Sequence, residues 1–156
     1  MTPDLLRETL REVLYGPDLK FGMGTGLFSE QEAGLLRAAH ALTFVQARTP
    51  AGPGRPCASQ VVIHLRQHLE HTAALLRDPY ALRPDEPEAW DHAPGTEREW
   101  RGELVRLAQA GQALYEALFM PLDTQGQRTA YAALLHAAYH TGALRFHVAN
   151  LQAAQG

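Results

Sequence analysis

Four long stretches of the chain carry apolar residues at the three-to-four spacing of an amphipathic helix, and no stretch of useful length alternates as a half-buried strand does. That pattern predicts an all-α fold. The first long helix starts at Thr2-Pro3, an N-cap followed by proline at the first helical position. It carries Leu5, Leu6, Leu10, Val13 and Leu14 and stops at Gly16-Pro17. The second runs from about Ser59 to Arg77, after which Pro79, Pro84 and Pro87 enforce a long non-helical crossover. The third opens at the capping box Thr96-Glu97-Arg98-Glu99, with Trp100, Leu104, Leu107, Leu114 and Leu118 in its stripe, and is ended by Pro121. The fourth runs from Asp123 or Thr124 to about Leu151. Four such helices with one long crossover between the second and third predict a four-helix bundle, folded as a single domain over residues 1–156.

Between the first two long helices the signals are local. The glycine-rich run from Phe21 to Gly26 lacks the preceding strand that a dinucleotide fingerprint needs, and it reads as a loop. Ser29-Glu30-Gln31-Glu32 reads as a capping box opening a shorter helix to about Leu42, and Thr49 to Pro56 as a loop rich in proline and glycine.

Charge and composition narrow the function classes. A net charge of -3 argues against a nucleic-acid partner. No stretch approaches the roughly 20 apolar residues of a membrane span. Met1-Thr2-Pro3-Asp4 is unlike a secretory signal, so the cytoplasm is the expected compartment. A single cysteine, Cys57, excludes an internal disulfide and a cysteine-rich zinc motif, and with Lys20 the only lysine, Schiff-base chemistry is not expected. Cys57 sits where a helix N-terminus favours a thiolate, but no base is near in sequence, and a small half-buried packing residue is the expectation.

Six of the eight histidines fall on two helical stripes. His136 and His140 are one turn apart on the fourth helix, with His147 further along nearly the same stripe; His64, His68 and His71 lie on the second. Two buried imidazoles one turn apart repel if protonated and need partners if neutral; one ion taking a lone pair from each ring resolves both. Catalytic zinc-like sites use about three protein ligands and keep one position open. On antiparallel helices one of His64, His68 and His71 is level with the pair. His64 follows the apolar run Val61-Val62-Ile63 and is expected to be buried, whereas Arg66, Gln67 and Glu70 read as the wetter side of the helix. Tyr131 and Tyr139 flank the pair and are expected to pack. His40, ending a short helix, and His92, beside Asp91 in a loop, are expected to have no part in the site.

Three segments resemble the DinB/YfiT-like superfamily of metal-binding four-helix bundles. Gln60-Val61-Val62-Ile63-His64-Leu65 resembles its second-helix segment. Arg83-Pro84 with Glu88-Ala89-Trp90 resembles the crossover, and the run from Leu135 through His136 and His140 to Leu144 resembles its fourth-helix signature. The resemblance covers most of the chain from about Ala58 onward. It implies His64, His136 and His140 as metal ligands, with His68 as an extra candidate one turn away and His71 and His147 as outer or rim residues. Relatives include S-transferases dependent on bacillithiol or mycothiol, a maleylpyruvate isomerase and metal-dependent hydrolases. The implied cofactor is a divalent ion, zinc or nickel, and the implied substrates are a low-molecular-weight thiol and a small electrophile. The different-class alternative is a non-catalytic, stress-related metal-binding bundle. Asp85, Glu86 and Glu88 are the acidic residues nearest a possible site mouth, and a solvated loop is expected for them. A homodimer is expected from the apolar content of the first and third helices and from the relatives, which often pair.

Overall fold

The computed structural model describes residues 2–18, 26–30 and 32–155. They form six α-helices: α1 (Pro3–Tyr15), α2 (Leu35–His40), α3 (Phe44–Ala47), α4 (Ala58–Arg77), α5 (Glu97–Ala117) and α6 (Thr124–Ala153), with a single 3-10 turn at Ala89–Asp91. Among the described residues there is no strand; an isolated antiparallel bridge joins Pro50 and Cys57. No described helix is long and apolar enough to cross a membrane.

The long helices start where the sequence signals place them. The Thr2 hydroxyl accepts from the Leu5 N–H at 3.3 Å, Thr96 and Glu99 form the reciprocal box at the head of α5, and the Asp123 carboxylate accepts from the Gly126 N–H at 2.7 Å. Each side chain satisfies amide donors that a helix start leaves orphaned. Helix α4 packs on both α5 and α6, and α1 packs on α6 and α5. The shared core comprises Leu6, Leu10 and Leu14 of α1, Leu65 and Leu69 of α4, Leu107 and Leu114 of α5 and Leu134 of α6, all at most 1% exposed.

The segment before α2 departs from expectation. Ser29 does not cap a helix: its hydroxyl bonds to Glu12 Oε1 at 2.6 Å. The same carboxylate accepts from the backbone N–H groups of Leu27, Phe28 and Ser29, so one buried acid of α1 holds the loop. Burial works to raise the Glu12 pKa, but the bonds from Ser29, Phe28 and Leu27 outweigh it and hold the carboxyl below its usual range. Helix α2 starts instead after Gly34, whose φ of 122° favours glycine and whose added Cβ would stand 2.7 Å from the Gly16 nitrogen. The helix expected to reach Leu42 breaks at His40 and restarts as α3, capped by Thr43 and Gln46. Residues 19–25, which hold most of the glycine run as well as Lys20, lie outside the described residues.

The crossover between α4 and α5 is pinned along one edge of α4. Gln60 Nε2 donates to the Trp90 carbonyl and Gln67 Nε2 to the Pro87 carbonyl, each at 2.8 Å. Between them Arg66 reaches Glu70 at 2.9 Å, Glu86 at 2.8 Å and Glu103 of α5 at 3.1 Å. Arg66 is only 2% exposed, which corrects the expectation that it marks the wet side of the helix. Glu86 is likewise no freely solvated loop residue. Burial alone would lower the Arg66 pKa; the bonds it donates to Glu86 and Glu70 overcome that and raise it. The same guanidinium holds the Glu86 carboxyl below its usual range.

Candidate metal centre

Helix α4 presents His64 and helix α6 presents His136 and His140 to one point. One ligand nitrogen from each of the three rings lies within 4.8 Å of the other two. The ring centroids are 5.0 Å (His64–His136), 4.9 Å (His64–His140) and 4.5 Å (His136–His140) apart. Nitrogens on a tetrahedral zinc-like ion, each about 2.0–2.1 Å from it, stand roughly 3.3 Å apart, which falls inside this spread. The three imidazoles therefore fit a divalent ion. His64 Nε2 and His136 Nε2 are 2.7 Å apart, a hydrogen bond in which one neutral ring donates to the other, and these two rings must part by roughly half an ångström to admit an ion.

Electrostatics keeps the rings neutral. Burial, followed by the fields of His140, His136 and Arg83, pushes His64 down to about 4. His136 is lowered by burial, and His140 by burial and then by His136. Each lone pair is thereby available to a cation near neutral pH.

His68 stands beside the triad. Its ring centroid is 4.5 Å from that of His136 and 6.4 Å from that of His64. Burial, then His136, His64, Arg83 and His140, lower its pKa to about 4. Its Nε2 is buried with no hydrogen-bond partner, and so is Nδ1 of His71. Both line a cavity of about 280 Å³ together with His64, Arg83, Glu88 and Trp90. Trp90 covers His64 from the crossover side, ring centroids 4.6 Å apart. Of the triad, His64 lines this cavity, whose other wall is formed by the crossover.

Other candidates fall elsewhere. His147, on nearly the same stripe as the pair, meets the Thr49 carbonyl at 3.1 Å, so it is a tie between α6 and the loop after α3, not a rim residue of this site. Tyr139 packs edge-on to His140 at 5.2 Å while staying 74% exposed, and Tyr131 has no contact with the rings. Asp85 and Glu88 are exposed, as expected, Glu86 is half-buried, and Glu86 and Glu88 both line the cavity. Cys57 is buried at the head of α4 with Sγ 3.1 Å from Ser59 Oγ, and it does not line the cavity. Sequence reasoning gave no role to Arg83 or Gln67, since neither carries a periodic or motif signal beyond the crossover resemblance. Comparison of the chain with protein families, characterised proteins and solved structures found no match.

Proposed function

We propose that the four long helices form a DinB/YfiT-like bundle, and that it is a metal-dependent S-transferase joining a low-molecular-weight thiol to a small electrophile. The ligands are His64, His136 and His140, and the ion is zinc or nickel. The observation that supports this reading best is the convergence of three neutral imidazoles beside a cavity large enough for a small molecule. A divalent ion with an open position supplies a lowered pKa to a thiol, presenting it as thiolate. Trp90 offers an aromatic face at the cavity wall, and the Arg66 network holds Glu86, and with it the crossover, in place.

A second reading, a non-catalytic metal-binding bundle, is favoured by one observation: the unpartnered buried Nε2 of His68 is a candidate fourth nitrogen that would complete an all-protein shell. The test joins elemental analysis of the purified protein to an assay of thiol consumption with chlorodinitrobenzene. The enzyme reading expects about one ion per chain and thiol turnover that stops in His136→Ala. One tightly held ion without turnover supports the second reading. No ion in any preparation, with none taken up from zinc or nickel salts, overturns both.

A further inference from the structure

The cavity contains a cation without a counter-ion. Arg83 lines it and forms no ion pair among the described residues. Of the two acids in the same wall, Glu86 is engaged by Arg66 and Arg106, and Glu88 makes no pair with Arg83. Two other lining residues, His68 and His71, each carry one nitrogen, Nε2 and Nδ1 respectively, that is buried without a hydrogen-bond partner. Buried polar atoms in folded proteins are almost always hydrogen-bonded, so two orphans beside a free guanidinium mark a place for a ligand's polar group. In the tautomer carrying hydrogen on that nitrogen, each imidazole donates, as all five guanidinium N–H groups do. A set made only of donors fits an oxyanion, and a planar guanidinium fits a carboxylate in a bidentate pair.

We propose that this cavity seats a carboxylate held by Arg83, with His71 and His68 as neighbouring donors, on a ligand whose thiol lies at the histidine triad. The thiol of the proposed reaction is therefore an acidic one. This deepens the proposed function and rests on its metal.

The test uses cobalt-loaded protein and two probes with the same thiol, 3-mercaptopropionate and 2-mercaptoethanol, titrated by the thiolate-to-cobalt absorption band. The carboxylated probe is expected to bind roughly tenfold tighter, as one charge-assisted pair allows. Arg83→Met is expected to erase that preference and leave 2-mercaptoethanol unaffected; Arg83→Lys keeps part of it. Arg83 is exposed and unpaired, so its replacement leaves the helices intact, which circular dichroism checks. Equal affinity for the two probes, or equal weakening of both in Arg83→Met, overturns the carboxylate seat while leaving the metal reading standing. Failure of the protein to take up cobalt at all overturns both.

Discussion

Two polar clusters grow from neighbouring positions of α4, and they differ in one respect. Around Arg66, a 2%-exposed guanidinium meets Glu70, Glu86 and Glu103, and Arg106 adds further contacts to the same acids. Every charge in that group has an opposite neighbour. Around His64, the four imidazoles face one another, one hydrogen bond joins His64 to His136, and two buried nitrogens nearby have no partner. The first cluster is closed and fixes the crossover. The second has unused lone pairs and donors, the condition for binding something from outside. Side by side on one helix, they separate the burial of polar groups from their satisfaction: only the second cluster leaves groups open to a partner.

This contrast can be broken by mutation. The largest effect is expected at the closed cluster. Arg66→Met strands three carboxylates against one another and should cost about 3 kcal/mol in urea denaturation. A loss below about 1 kcal/mol would mean the network does not fix the crossover. At the open cluster the expectation reverses. His136→Ala should lower zinc or nickel affinity more than about 100-fold, read by competition with a coloured chelator, while the metal-free protein stays folded.

Glu12→Gln tests a third polar group, closed like the first but much smaller. It weakens four bonds from residues 27–29 to one carboxylate and should cost about 1–2 kcal/mol. For the metal-free protein, pH sharpens the distinction. His64 and His68 titrate near 4 when folded and near 6.5 when unfolded, so between these values the unfolded chain binds more protons. Their contribution is complete above about 6.5 and is lost as pH falls toward 4. A chelator-treated sample should lose a few degrees of Tm as pH falls through that window, and saturating metal should add stability at its upper end, where the rings are neutral. The smallest effect is expected at the exposed pair Arg101–Glu97, 74% and 61% exposed, where Arg101→Ala should leave the denaturation midpoint unchanged.

What the sequence disclosed follows the range of the interactions involved. Helix starts at Thr2, Thr96 and Asp123 are decided within four residues, and they were legible. The pairing of His136 with His140 is also local, being one helical turn. Ser29 misled because its hydroxyl is engaged by Glu12, seventeen residues earlier, which removes it from capping. Arg66 misled for the same reason on a larger scale: its partners Glu86 and Glu103 lie 20 and 37 residues away, and no periodicity announces them. His147 shares a stripe with His140 yet meets Thr49, because another segment packs at that level of α6. The placement of His64 rather than His68 with the pair depends on the axial offset of two helices, which spacing within either one does not encode.

The short contact between His64 and His136 bears on how an ion would be taken up. One Nε2 carries a hydrogen there, so that ring must move it to Nδ1 before this nitrogen can serve as a ligand. Rearrangement within a ring releases nothing to solvent, and above about pH 6.5 none of these imidazoles holds a second hydrogen to give up. Those three rings should accordingly release no proton on taking up an ion near neutrality, unlike the ligands of a site built from thiols.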